Sequence, residues 1–280
     1  MKFGVAMFMT DYSISPTELA RAVEERGLES LWAPEHSHIP LPRVSPWPGG
    51  GDLPKQYYDV MDPFVVLSAA AAVTDRIKLG TGVCLVIQRD PIQVAKEVAS
   101  LDQISGGRFL FGVGGGWNAE EMANHGTAFK SRFKLMRERI EAMKAIWTEK
   151  EPEYSGEMVN LSKMMTWPKP VQKPYPPVIV GGGFPHAARR AIRYGDGWIP
   201  LGGRMDLPAL VDEFYKMAEE AGRKREALPL TSFGVSLEGD SIAKSAGVGI
   251  DRVVISLPSE AADKTLPVLD QIAEVAGKYA

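Results

Sequence analysis

The chain has 280 residues, 45% of them hydrophobic and 24% charged, which is enough apolar material for one large globular domain or two small ones. Its formal net charge of -3, from 32 basic and 35 acidic residues without like-charge blocks, argues against nucleic acid or a membrane surface as partner and for small molecules. A single cysteine, Cys84, excludes a disulfide framework and a cysteine metal motif, and no stretch reads as a secretion signal or membrane span, so a cytoplasmic protein is expected.

Short Val/Ile/Leu/Phe-rich runs alternate with helical patterns from end to end. The first run, 2 to 8, is followed by Ser15-Pro16-Thr17-Glu18, a capping box with proline at the first helical position, then by Leu19, Ala22 and Val23 on one face and a stop at Gly27. A second run, 29 to 34, leads into residues 36 to 60, a connection long enough to serve as a binding loop or lid. Asp62-Pro63 caps the next helix, the third run is 77 to 83, and Asp90-Pro91 starts a helix with Val94, Val98 and Leu101 on one face. The fourth run is 109 to 113. Before the fifth, 177 to 182, EYSGEMVNL suggests a small hairpin and PKPVQKPYPP an extended polyproline approach. The runs 197 to 201, 230 to 236 and 251 to 257 complete eight. Helices between and after them carry Leu210, Val211, Phe214 and Met217, and Leu266, Leu269, Ile272 and Ala273. Eight βα units predict a single (β/α)8 barrel over residues 1 to 280, with an open doubly wound sheet as the alternative.

In a barrel the chemistry sits on the loops after the strands, and four stretches there are informative. Gly112 to Trp117 fails the dinucleotide pattern, because Trp117 and Ala119 stand where its last glycine would be; the strand end is stripped of side chains, as if to let a ligand approach. Gly181-Gly182-Gly183 opens a helix, where free N–H groups and the helix dipole suit a phosphate. Gly80 and Gly82 flag a bulge at the mouth. Glu35-His36-Ser37-His38 places two histidines one residue apart, pointing the same way in an extended segment, so a metal-dependent hydrolase is a rival reading. The remaining histidines, His125 and His186, read as surface or capping residues and complete no ligand set. His36 held by Glu35 or a backbone group, as hydrogen-bond donor or proton relay, fits better, with His38 packed against prolines of the lid. Cys84 reads as packing.

Five segments, 32 to 40, 62 to 83, 89 to 121, 168 to 183 and 195 to 200, together resemble the luciferase-like monooxygenase superfamily, and within it the bacterial oxidoreductases that use coenzyme F420. The resemblance implies a (β/α)8 barrel, usually a homodimer, with a flavin-like ring in its mouth. It implies a cis peptide at Gly82-Val83 against that ring, His36 beside it, and Glu35 in contact with the cofactor. The implied cofactor set is Thr81, Gly82, Val83, Gly114, Gly115, Trp117, Gly181, Gly182 and Gly183, with Gly114 to Gly116 clearing one wall and the glycine turn taking the phosphate. Relatives that oxidise glucose 6-phosphate have a catalytic glutamate where Trp117 stands and an aspartate where Glu35 stands, which weighs against sugar-phosphate dehydrogenation. An indole at 117 favours an apolar or aromatic substrate. The function implied is hydride transfer between F420 and a small organic molecule, with His36 and Glu35 catalytic; the alternatives are an FMN-dependent monooxygenase and a flavin-binding protein without turnover.

Overall fold

Strands that are apolar on both faces need cover on both, and a closed barrel supplies it with helices outside and the strands' own side chains within. The computed structural model describes residues 1–201 and 206–279. Eight strands, β1 (Lys2–Ala6), β2 (Ser30–Ala33), β3 (Lys78–Thr81), β4 (Phe109–Val113), β7 (Val178–Gly182), β8 (Gly197–Pro200), β9 (Thr231–Phe233) and β10 (Arg252–Ser256), form one sheet in the order β8-β7-β4-β3-β2-β1-β10-β9. Neighbouring strands are parallel. A parallel bridge between Trp198 and Leu230, with Trp198 N–H donating to Pro229 O at 3.1 Å, joins the two edges, so the barrel closes and the open sheet is excluded.

The helices start where their caps predict. Ser15 caps α1 (Pro16–Glu25), and Asp62 and Asp90 each accept two backbone N–H groups at the starts of α3 (Pro63–Ala71) and α4 (Pro91–Ile104). The long connection after β2 holds one short helix, α2 (Gln56–Asp59), and α5 (Ala119–Asn124) follows β4. After α6 (Arg132–Thr148) comes the expected hairpin, β5 (Tyr154–Ser155) and β6 (Asn160–Leu161). The expected uniform polyproline run is instead bent over residues 171–176, with cis bonds at Trp167-Pro168 and Lys173-Pro174. The remaining helices are α7 (His186–Tyr194), α8 (Leu207–Glu220), α9 (Ser241–Gly247) and α10 (Ala262–Gly277).

Inside the barrel Ala6, Trp32, Leu110, Ile179, Ile199 and Val254 form a small cluster, with Val83 and Phe233 packed on it. Trp32 is fully buried there, its indole N–H donating to Ser30 Oγ at 2.8 Å. Gly80 is required by that indole, since a Cβ would lie 2.2 Å from it. The much larger cluster lies between strands and helices. Thus the barrel is filled up to the level of Trp32 and Val83, and the space above them is left to the loops at the carboxyl ends of the strands.

Candidate active site

The third strand sets the floor. Beyond Thr81 the Gly82-Val83 peptide is cis, after which Cys84 N–H donates to Gly112 O at 2.7 Å and Gly114 N–H to Cys84 O at 2.9 Å, so pairing with β4 resumes past a bulge. Val83 therefore projects between β4 and β7. A Cβ on Gly114 would lie 2.5 Å from the Val83 side chain and one on Gly181 3.0 Å from it. A Cβ on Gly115 would strike the Phe133 ring at 2.4 Å, and one on Gly116 the Met122 methyl at 2.8 Å. Gly114, Gly115 and Gly116 lie in the wall of the space above, and their missing side chains also make room for Val83, Phe133 and Met122.

Above this floor is a cavity of about 360 Å³ lined by the expected His36, Glu35, Gly82, Val83, Gly114, Gly115, Trp117, Gly181, Gly182 and Gly183, and also by Phe8, Tyr57, Leu85, Phe133, Arg190 and Leu201. Thr81 is not in the wall. It is buried beneath it, its hydroxyl donating to Gly112 O at 2.7 Å. The long loop supplies a roof: Tyr57 lies with its ring centroid 4.4 Å from Phe8 and 5.3 Å from His36, and Trp47 packs edge-on against Tyr57. Trp117 stands edge-on to His36 at 5.6 Å.

His36 and Glu35 have separate partners. Glu35 Oε2 accepts Leu85 N–H at 2.7 Å and Oε1 accepts Arg89 Nε–H at 2.5 Å, while Arg89 also pairs with Asp62. Glu35 thus anchors the chain just beyond the bulge and does not hold His36. That task falls to Glu121, whose Oε2 accepts from His36 Nδ1 at 2.8 Å, with Ser37 N–H on Oε1 at 3.0 Å. Burial pushes the Glu121 carboxyl up, but the hydrogen bonds and charge of its partners prevail and hold it below the ordinary carboxylate range. An ionised acceptor on Nδ1 fixes the Nδ1–H tautomer and leaves His36 Nε2 to give or take a proton. Glu121 was missed in the sequence. Asn118-Ala119-Glu120-Glu121 has the spacing of a helix cap, and Asn118 Oδ1 does accept Glu121 N–H at 3.1 Å, but the Glu121 side chain turns to His36 instead of back to Asn118.

The two neighbouring histidines do not point the same way. His36 meets Glu121, whereas His38 Nε2 lies 2.7 Å from Asn124 Nδ2 and its ring 5.5 Å from that of His125, so it packs on α5 and not on prolines. His125 Nε2 is 2.7 Å from Ser37 Oγ, and His186 is exposed at the start of α7. Among the described residues no three His, Cys, Asp or Glu side chains converge as a metal site. Cys84 is buried, and burial pushes its thiol well up.

At the other end of the cavity the glycine turn meets α7. Gly183 is exposed, with nothing closer to a Cβ than Leu201 O at 4.0 Å, and neither its N–H nor that of Phe184 has an acceptor among the described residues. Arg190 faces the same turn, its NH2 3.6 Å from where a Gly182 Cβ would stand, its guanidinium stacked 3.8 Å from the Phe133 centroid. Its Nε is buried without a partner among the described residues, and burial pushes its pKa down. A half-buried cation with a buried donor that has no partner among the described residues, beside two amides that also have none among them, suits an anion.

A model of the luciferase-like monooxygenase family matches residues 15–244. The chain belongs to that family. By that membership it is an oxidoreductase. It is 38% identical to an uncharacterised protein of Mycobacterium tuberculosis over 98% of both chains. It is 32% identical to an F420-dependent glucose-6-phosphate dehydrogenase of Kineococcus radiotolerans over 74% of this chain and 58% of that one. Among solved structures, the monooxygenase RslO1 from Streptomyces bottropensis superposes with a TM-score of 0.80 at 20% identity over all of both chains. These structural neighbours share the fold, and no helix among the described residues of this family member is long and apolar enough to cross a membrane.

Proposed function

We propose that this oxidoreductase transfers a hydride between coenzyme F420 and a small apolar or aromatic organic substrate. The observation that carries the reading is the polarity of the cavity. It runs from Arg190 and the Gly183 and Phe184 amides, which have no acceptor among the described residues, at one end to the His36–Glu121 pair at the other, over an apolar floor at Val83. A cofactor with a flat ring and a phosphate-bearing side chain has that distribution of chemistry, and the F420-dependent relative at 32% identity supports the choice. When bound, the deazaflavin supplies or accepts the hydride. The residues of the chain do the rest. Arg190 and the glycine turn hold the anion, Val83 bears the ring, Tyr57 and Trp117 confine the substrate and exclude water, and His36 exchanges a proton through Nε2 while Glu121 fixes its tautomer.

The substrate class follows from the same wall. Tyr57 and Trp117 pack against His36, and Phe8 and Leu85 line the same cavity, so a planar or apolar group is favoured there over a sugar phosphate. A second reading, a monooxygenase using reduced FMN, draws support from the description of the matching family. Titrating the apoprotein with F420 and with FMN, followed by ring fluorescence, separates the two. Preferential binding of F420 and oxidation of its reduced form by a panel of carbonyl and activated alkene compounds are expected. Tighter binding of FMN with oxygen consumption overturns the F420 assignment.

A further inference from the structure

A second group of polar side chains adjoins the His36–Glu121 pair and runs outward from it. Ser37 Oγ lies 2.7 Å from His125 Nε2, 3.0 Å from His38 Nδ1 and 3.4 Å from Glu121 Oε1. His38 Nε2 lies 2.7 Å from the Asn124 amide nitrogen. An amide nitrogen can only donate, so His38 Nε2 must accept and His38 Nδ1–H must donate to Ser37 Oγ. The Ser37 hydroxyl then has one proton and two acceptors within reach, His125 Nε2 and Glu121 Oε1. Its choice depends on His125. Neutral His125 offers a lone pair at 2.7 Å and captures the hydroxyl proton; protonated His125 donates instead, and the hydroxyl must turn to Glu121.

We propose that Ser37 is a switch linking the charge of His125 to His36: protonation of His125 swings the Ser37 hydroxyl onto Glu121 and lowers the proton affinity of His36. The link follows from the geometry of Glu121. In the turned state its Oε1 gains a hydroxyl donor beside the Ser37 N–H, and a positive charge approaches it, so the carboxylate attracts the His36 proton less strongly. His36 then gives up its Nε2 proton more readily and retains Nδ1–H. No proton crosses from His125 to His36; only the hydroxyl rotates. His125 is placed to respond, since it is exposed at the end of α5 while Glu121, two hydrogen bonds inward through Ser37, is fully buried. The charged groups facing His125 are His38 from the loop and Glu121 from its own helix, with the mutually paired Glu35 and Arg89 behind them. Burial and then the neighbouring His38 hold His125 below the ordinary histidine value, so the switch operates on the acid side of neutrality. Ser37 and His125 are positioning residues, acting through Glu121.

The proposal deepens the hydride-transfer reading, which makes His36 the proton-exchanging group, but its test does not require turnover. The full chain has four histidines, so their ring nitrogens can be followed individually by ¹⁵N NMR in ligand-free protein. His125→Ala, which removes the competing acceptor and leaves the Ser37 hydroxyl only Glu121, is expected to lower the His36 midpoint by about half a pH unit, and Ser37→Ala to abolish that response, leaving the midpoint indifferent to a further His125→Ala. Ser37→Thr, which keeps the hydroxyl, is expected to restore the wild-type titration. Ser37→Ala retains the backbone donor to Glu121, and unchanged melting of the variant confirms an intact fold. A His36 midpoint that is the same in wild type and His125→Ala, or that falls equally when His125→Ala is made in the Ser37→Ala background, overturns the switch. Failure of wild-type protein to turn over reduced F420 overturns the hydride-transfer reading and leaves the titration result to stand by itself.

Discussion

Two arginines, Arg108 at one end of the barrel and Arg190 at the other, are treated in opposite ways. At the amino-terminal end Arg108 is buried before β4 and its guanidinium donates to Ser105 O, Ile77 O, Ala71 O, Thr74 O and Thr74 Oγ1 at 2.7 to 3.0 Å. Beside it the Glu24 carboxylate collects the N–H groups of Asp75, Arg76 and Ile77, and Arg252 makes a two-pronged pair with Glu29. At the carboxyl-terminal end Arg190 keeps a buried Nε without a partner, and the Gly183 and Phe184 amides have no acceptor among the described residues. A satisfied cation ties loops together; one with a free donor beside a cavity suits the anion proposed above. The contrast teaches that a paired and an unpaired arginine call for different tests.

Four substitutions test this contrast. The largest effect is expected at the upper end, where His36→Ala should lower turnover by about 10² to 10⁴-fold with cofactor affinity little changed, as steady-state kinetics and fluorescence titration would show. Next, Arg108→Ala at the lower end strands five acceptors and should cost about 3 kcal/mol in urea denaturation, leaving turnover per folded molecule intact. Arg190→Ala reverses that pattern. It should weaken cofactor binding by about tenfold or more while costing only about 1 kcal/mol of stability, from the lost stacking on Phe133, well short of Arg108→Ala. A large loss of stability in this variant would erase the distinction between the two ends. The smallest effect belongs to Glu24→Gln. Burial pushes the Glu24 carboxyl up, but three backbone donors prevail and hold it below its ordinary value of 4.5. A depressed folded pKa contributes stability above the unfolded value, and that contribution is lost as pH falls through the folded one. The variant should therefore show a slightly flatter acid limb in its melting temperature against pH.

The sequence carried local information well and tertiary information poorly. Asp62-Pro63 and Asp90-Pro91 could be read as caps because the side chain that accepts the bond is two or three residues from the N–H that donates it. The glycine turn at 181 to 183 was legible for the same reason: strand end, turn and helix start are contiguous. The partner of His36 was not, since Glu121 is 85 residues away and its own local pattern spells a helix cap. Gly114 and Gly115 stand out in the sequence, yet what they make room for, Val83 and Phe133, comes from other parts of the chain. Thr81 illustrates the limit of strand-end reasoning. Alternation along β3 and the bulge after it turn this side chain into the barrel wall, one residue short of the cavity.

The central claim is that the cavity above Val83 takes a flat ring whose phosphate is caught at the glycine turn. A crystal structure of the protein with F420 tests it most directly. The account predicts ring density against Val83 and beside His36, with the phosphate on the Gly183 and Phe184 amides and the Arg190 guanidinium. Ring density outside this cavity, or a phosphate bound away from Arg190, would contradict it.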